Sequence, residues 1–213
     1  MSANKWNSLS TVRKAFAASR DALQPLFDYA NAKHVATLLQ LTSDERRALI
    51  AAQPRDKLLF IDKVHGAATE LAQRKHWQDA FALFDDITSS PKLTATSANN
   101  PLWAIQVDNN KLPAQPARVA AYLAACVPHG ANNPGVYFNA ACLEMERDNH
   151  KAALGYIRDA LAAGYQNKEQ LRDENLFAPL HGEPEFLALF ADVAPPKWDD
   201  VALAAKTPLL VRN

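Results

Sequence analysis

Histidine and cysteine are the residue types best suited to metal binding and nucleophilic catalysis, and this sequence has six histidines and two cysteines. The histidines are His34, His65, His76, His129, His150 and His181. They lack the short, regular spacing of a metal-ligand set. The sequence also lacks a phosphate-binding loop, a dinucleotide-binding glycine motif, a nucleophile elbow, a zinc-protease motif and a C-x-x-C pair. We therefore predict no catalytic residue, no metal site and no cofactor.

The two cysteines, Cys126 and Cys142, both lie in alanine-rich helical patterns. A free cysteine behaves as a small hydrophobic residue, and disulfides are rare in reducing compartments. We interpret both as small core residues of a reduced protein. A disulfide or a redox pair is the alternative.

Adjacent carboxylates and tryptophans are the other residues that could form a site. Three acidic pairs, Asp85-Asp86, Asp173-Glu174 and Asp199-Asp200, are interpreted as solvated helix faces or caps. The four tryptophans, Trp6, Trp77, Trp103 and Trp198, are too dispersed to form a stacking platform for bases.

The charge distribution argues against nucleic acid as a partner. Lysine plus arginine and aspartate plus glutamate number 23 each. Residues 1–60 carry nine basic and five acidic groups, whereas residues 101–213 carry ten and thirteen. Nucleic-acid binding needs clustered basic residues, which this mild polarity does not supply. It is sufficient for weak steering of a protein partner.

The apolar runs are all shorter than the roughly 20 residues that span a bilayer. The first residues also lack the apolar centre of a secretory signal. We expect no membrane segment and a cytoplasmic protein.

The composition predicts an all-α fold. The sequence has 40 alanines and 6 glycines, while isoleucine and valine total 15. Alanine loses little entropy in a helix, whereas β-branched residues favour strands. The predicted helices at the N-terminal end cover 8–23, 25–41, about 43–52 and 55–74. Thr42 and Glu45 form a capping-box signature for the third of these.

The segment 88–101 interrupts this helical pattern. It is rich in serine, threonine, asparagine and proline, and we predict it to be the longest loop and a flexible boundary or contact segment. A short helix from Pro101, another at 118–127 and a hairpin opening at Pro134 are predicted to follow.

Two parts of the sequence repeat the same pattern. Ala68, Ala80, Phe84 and Ile87 align with Ala141, Ala153, Ile157 and Ala160. Small residues allow two helices to approach closely, and the large ones fill the space toward the next element. The pattern predicts two helical hairpins with polar corners near His76 and His150.

These hairpins resemble the tetratricopeptide repeat, a helix–turn–helix unit. The segment after the second hairpin resembles the one that closes many bacterial arrays of this family, through Gly164-Tyr165, Leu171, Asp173, Leu176, Leu180, Pro184 and Phe186. The resemblance implies antiparallel hairpins stacked in a short right-handed solenoid, with an N-terminal helical extension and a C-terminal capping helix. Gly164 would end a helix in the left-handed conformation, and Leu171, Leu176, Phe177 and Leu180 would cover the last repeat.

The resemblance divides the chain into five regions. They are an N-terminal helical region packed on the repeats (1–60), a first hairpin (61–92), a loop with a damaged repeat (93–133), a terminal hairpin with its capping tail (134–191) and a C-terminal tail (192–213).

In such repeats the first helices line a concave binding face. The resemblance places there Asp62, His65, Thr69 and Gln73 from one hairpin, and Phe138, Asn139, Cys142, Met145 and Glu146 from the other. The alternative is that these residues pack against the N-terminal helices. His65 and Phe138 stand where some family members carry a lysine-rich clamp for a peptide carboxylate, so that mode of recognition is not expected.

We therefore predict a non-catalytic protein that binds one specific partner protein. An inhibitor or immunity protein of a cognate toxin, an adaptor and a chaperone-like escort are the roles we consider. A protein with an enzymatic or ligand-binding pocket near His34, His65 or His76 is an alternative of another class, and a self-associating structural module is a third.

Overall fold

The computed structural model describes residues 32–52, 59–108 and 115–193, where it contains helices and turns and no strand. The all-α prediction is confirmed for this part of the chain. The predicted helix at 8–23 and most of the C-terminal tail lie outside the described residues.

The chain divides into two compact units between His129 and Gly130. In the first, α1 spans Ala32–Gln40, α2 Ser43–Ala52, α3 Leu59–Gln73, α4 Trp77–Thr88, α5 Asn99–Val107 and α6 Pro116–Cys126. A 3₁₀ helix, Val127–Asn132, spans the division. In the second, α7 spans Pro134–Glu146, α8 His150–Ala162, α9 Lys168–Arg172 and α10 Pro184–Ala188, with a 3₁₀ helix at Asn175–Leu180.

The first unit contains two successive helix pairs, α3 with α4 and α5 with α6. The first helices of the pairs, α3 and α5, contact each other, and so do the second helices, α4 and α6. Helix α2 packs on both α3 and α4.

The segment between α4 and α5 is shorter than predicted. It covers 89–98, because α5 begins at Asn99 and not at Pro101. Thr94 and Ser97 close a tight turn, in which each side-chain oxygen accepts from the other residue's backbone N–H, at 3.1 and 3.2 Å. Leu93 and Ser97 are buried. The small polar residues of this segment therefore form a hydrogen-bonded turn.

Asp86 on α4 is fully buried and holds α2 in place. Its carboxylate accepts hydrogen bonds from Nε of Arg46 at 2.5 Å, from Nε of Arg47 at 3.0 Å and from the Ser43 hydroxyl. The interpretation of the Asp85-Asp86 pair as a solvated face or cap was wrong for Asp86. The arginines come from about forty positions earlier in the chain, so local sequence could not indicate them.

The neighbouring Asp85 binds residues of α6 and not of α2. Its carboxylate accepts from Nε and Nη2 of Arg118 on α6, at 3.1 and 2.9 Å, and from the Tyr122 hydroxyl at 2.7 Å. Burial and the Asp85 charge raise the pKa of Tyr122, so the hydroxyl keeps its proton and donates. Because successive residues point about 100° apart on a helix, the two carboxylates secure α2 and α6 separately.

The two predicted hairpins share one corner geometry. Lys75 after α3 and Asp148 after α7 both adopt the left-handed conformation, with φ of 64° and 59°. In each corner the next residue's N–H, from His76 or Asn149, bonds back to a carbonyl in the last helical turn, at 2.9 and 2.8 Å. These are helix-ending motifs that satisfy otherwise unpaired carbonyls. The repeated sequence pattern therefore corresponds to repeated local structure.

The second unit is a hairpin closed by its tail. Gly164 has φ of 86°, which confirms that it ends α8 in the left-handed conformation. Tail residues Leu171, Phe177, Leu180 and Phe186 form one buried cluster with Cys142, Met145, Ala153, Ile157 and Ala160 of the hairpin. Leu176 packs against this cluster while partly exposed. The tail thus covers the apolar edge of the hairpin, as expected.

The Asp86→Asn substitution tests the buried ion pair. It leaves Arg46 buried beside a neutral amide, and losing one partner of a buried pair typically costs about 3–5 kcal/mol. We expect a loss of about 3 kcal/mol in the free energy of unfolding, measured by urea denaturation. Asp44→Asn, on the exposed side of α2, is the control and should change stability little. Equal effects of the two substitutions would contradict the role of Asp86.

Two glycine-to-alanine substitutions are expected to act in opposite directions. Gly164→Ala places a side chain at φ 86° and should destabilise by about 1 kcal/mol. Gly155→Ala lies inside α8, where an added Cβ meets nothing within 4 Å, and should stabilise by about 0.5–1 kcal/mol. Thermal unfolding of both variants gives the direction in which each melting temperature changes. Changes in the same direction would refute the different roles given to Gly164 and Gly155.

Candidate partner-binding surface

One side of α3 carries the four site residues predicted in the first unit. Asp62, His65 and Thr69 are partly exposed and Gln73 is exposed. Their spacing of three and four residues places them along one stripe of the helix. The opposite side is buried through Ile61, Val64, Ala68, Leu71 and Ala72. This stripe, Asp62, His65, Thr69 and Gln73, is called the α3 strip below.

Hydrogen bonds extend the α3 strip onto α5. The Thr69 hydroxyl donates to the carbonyl of His65 at 2.9 Å and accepts from Nδ2 of Asn100 at 2.9 Å. Oδ1 of Asn100 in turn accepts from Nδ2 of Asn99 at 3.2 Å. The two first helices therefore share a continuous polar seam.

The accessible side of α5 adds apolar residues to this seam. Pro101, Leu102, Ala104 and Ile105 are buried, whereas Asn99, Asn100, Trp103, Gln106 and Val107 are not. At 100° per residue Trp103 lies at the centre of the accessible arc. Val107, one turn further on, is 40% exposed.

Sequence reasoning missed Asn100, Trp103 and Val107 because it treated residues 93–133 as a loop and a damaged repeat. The sequence does contain a pattern that indicates these three residues. The three residues follow the i, i+3, i+7 spacing of one helical face, and Trp103 is the only aromatic residue among them.

His65 is the electrostatically distinctive residue of the α3 strip. Burial lowers the pKa of its imidazole to about 4, so the ring is neutral at pH 7. Within the described part of the chain its Nε2 has no hydrogen-bond partner, and its ring centroid lies 6.4 Å from that of Phe84. Burial also raises the pKa of Asp62, against the lowering effect of Lys63.

The five predicted site residues of the second unit are placed differently. Asn139, Cys142 and Met145 on α7 are buried, and only Phe138 and Glu146 are partly exposed. The Phe138 ring stacks on Tyr165 at 5.5 Å and meets Phe177 edge-on at 6.2 Å between centroids. The closing tail supplies both of these rings and covers this side of α7. Most of the strip expected here is therefore interior.

Glu146, the last residue of α7, is the accessible polar group of that set. Burial raises the pKa of its carboxyl to about 7. The two sets of predicted residues lie in separate compact units, and the α3 strip is the one that offers several accessible side chains from one helix.

Both cysteines are buried and neither is in a disulfide, which confirms their interpretation as small core residues. Burial raises the pKa of the Cys126 thiol to about 12, so its reactive thiolate is suppressed. In the described ranges no three histidine, cysteine or acidic side chains are grouped to hold a metal ion. The side chain of His34, named for a possible pocket, lies outside the described residues.

In the described part of the chain these features define an all-α arrangement of packed helix pairs, with a mixed polar and aromatic surface on α3 and α5. No family model, curated protein or solved structure matches this chain. Among the described helices, none is long and apolar enough to cross a membrane.

His65 gives a prediction for the pH dependence of stability. Its pKa is about 4 in the folded state against 6.5 for an ordinary histidine, so the unfolded chain binds the proton more tightly. The stability due to the neutral ring is therefore present above pH 6.5 and is lost as the pH falls toward 4. We expect acidification from pH 7 to pH 5 to destabilise the wild type more than His65→Asn, measured by urea unfolding.

Glu146 acts in the opposite direction, because its raised pKa makes its stabilising contribution fall as the pH rises from 4.5 toward 7. This contribution is common to the wild type and to His65→Asn, so it cancels in the comparison. If acidification lowered the free energy of unfolding equally in the two proteins, His65 would not be the buried neutral group that causes the pH dependence.

Proposed function

We propose that this protein is a tetratricopeptide-like scaffold that binds one specific partner protein through the α3 strip and the adjoining face of α5. The observation that carries the proposal is the Thr69–Asn100 bond at 2.9 Å, which joins the two first helices into one accessible surface. First helices of stacked hairpins form the binding face in solenoid proteins of this kind.

The packing of the first unit supports the solenoid part of the proposal. Helix α3 contacts α5 and α4 contacts α6, so like helices of successive pairs lie side by side. This is the nearest-neighbour arrangement expected of stacked repeats. The shared corner at Lys75 and Asp148 supports a common origin for the first and last hairpins.

The chemistry of the surface favours a protein partner. Interface hot spots are enriched in tryptophan and lie in a polar setting that excludes water. Trp103 and Val107 supply accessible apolar side chains on α5, while Thr69, Asn100 and Gln73 are uncharged polar residues of α3 and α5. Burial keeps His65 neutral, so this residue adds no positive charge that would attract an anionic ligand.

A matched pair of glutamine-to-arginine substitutions tests the surface. Gln73→Arg adds charge and bulk to the α3 strip, whereas Gln78→Arg does so on the exposed side of α4. We expect the tagged wild-type chain and Gln78→Arg to retain the same stoichiometric protein from cells of the source organism, identified by mass spectrometry. The strip variant should bind that protein at least tenfold more weakly in a calorimetric titration.

The proposal fails if the wild type is recovered without a stoichiometric protein, or if the strip variant binds as tightly as the control. Assays of the recovered partner then distinguish the roles we expect. Loss of its activity at a one-to-one ratio indicates an inhibitor or immunity protein, and unchanged activity indicates an adaptor or escort.

A further inference from the structure

The two hairpins with the shared corner can be compared residue by residue, and one face differs between them. Aligning Lys75 with Asp148 places Val64, Leu83 and Asp86 opposite Tyr137, Tyr156 and Asp159. The first three are fully buried. Of their equivalents, the two tyrosines are partly exposed and Asp159 is exposed.

The first hairpin shows what such a face can bind. Helix α2 packs on α3 and α4, and its two arginines both donate to the carboxylate of Asp86. An aspartate at this position is therefore the receptor for an arginine-bearing helix within this same protein.

In the second hairpin no helix of the described residues pairs an arginine with the equivalent carboxylate. Asp159 makes no side-chain hydrogen bond or ion pair with any described residue. Its neighbour one turn away, Tyr156, lies nearly parallel to Tyr137, with 6.4 Å between ring centroids and an interplanar angle of 17°. Aromatic faces attract cations such as guanidinium, so an aromatic pair beside a free carboxylate suits an arginine better than an aliphatic pair would.

The Tyr137 ring is held in position by close packing on Gly130. A Cβ added at Gly130 would lie 2.4 Å from Cζ of this ring, so the ring occupies space that only a glycine leaves open. Val64 and Leu83 lie in the core of the first hairpin. At the equivalent positions of the second hairpin, Tyr137 and Tyr156 form an accessible pair, in which Tyr137 packs on Gly130.

The charges around the pair favour a cation. Burial, followed by the carboxylates of Glu144 and Asp159, raises the pKa of Tyr156, while Arg147 opposes this. Arg147 is engaged with Glu144, its Nη1 donating to Oε1 at 2.7 Å. Glu144 also accepts from Nδ2 of Asn149 at 2.8 Å. Asp159, beside the rings, has no side-chain ion pair with any of the described residues.

We propose that the face of α8 formed by Tyr156 and Asp159, with Tyr137 beside it, is a docking site for an arginine-bearing helix of a partner protein. The site is the counterpart, in the second hairpin, of the face that holds α2 in the first. It rests on the binding role proposed above but uses a surface separate from the α3 strip.

The test uses the full chain and a defined probe. An alanine-based helical peptide with two adjacent arginines is titrated into isotopically labelled protein, and amide shifts are followed by NMR. The matched peptide carries citrulline, which keeps the shape of arginine and removes its charge. We expect saturable shifts centred on α8 with the arginine peptide, at least fivefold weaker binding of the citrulline peptide, and weakening by salt.

Variants of Asp159 and Tyr156 test the contributions of the carboxylate and of the aromatic ring separately. Asp159→Asn and Tyr156→Ala should each weaken binding about fivefold or more, while Tyr156→Phe, which keeps the ring, should bind like the wild type. Glu183→Gln, which removes an exposed carboxylate elsewhere in the unit, is the control and should have no effect.

Absence of saturable shifts, equal binding of the two peptides, or full binding by Asp159→Asn would each overturn the proposal. A chain that is dimeric by light scattering and becomes monomeric on Asp159→Asn would also overturn it, by making a second copy the occupant. Because the probe is independent of the native partner, the α3-strip variant should bind the peptide normally. A negative result for one of the two surfaces therefore leaves the proposal for the other to be tested separately.

Discussion

A carboxylate buried without a cation would destabilise the fold by several kcal/mol, and this constraint at Asp86 fixes the arrangement of the first unit. Arg46 reaches it from α2 and is itself buried, so neither group is well satisfied without the other. Arg47 and Ser43 complete the coordination of the carboxylate. Because the bonds lie on one face of α4, they set where α2 lies against the α3–α4 pair, while Asp85 sets the place of α6 through Arg118.

This arrangement determines which surface of the first unit stays accessible. With α2 on one side of the first pair and the second pair on another, the α3 strip stays accessible and meets α5 through Thr69 and Asn100. In the second unit, by contrast, the closing tail packs on the equivalent side of α7 and takes Cys142 and Met145 into the core. The same repeat pattern thus gives an accessible strip in one hairpin and an interior one in the other, because the neighbouring elements differ.

The candidate site was predictable in part. The repeat pattern predicted that His65 and Thr69 share one stripe of a helix, and they do, since the stripe of a helix follows from its own periodicity. It did not reveal Trp103, because the short α5 carried no recognisable repeat and its accessible arc is defined by what buries its other side. Nor did it reveal that Asn139 is buried, because a polar residue in a helical pattern is ordinarily assigned to the surface.

The sequence by itself determined the features that depend on nearby residues. These are the helical composition, the corners after α3 and α7, the left-handed Gly164 and the apolar residues of the closing tail. Only the tertiary structure decided the features that depend on distant ones. Asp86 is an anchor because two arginines reach it from α2, whereas the equivalent Asp159 has no such partner among the described residues and stays exposed. The physical reason is that hydrogen bonding within a helix is local, while burial and charge pairing depend on which side chains the fold brings close.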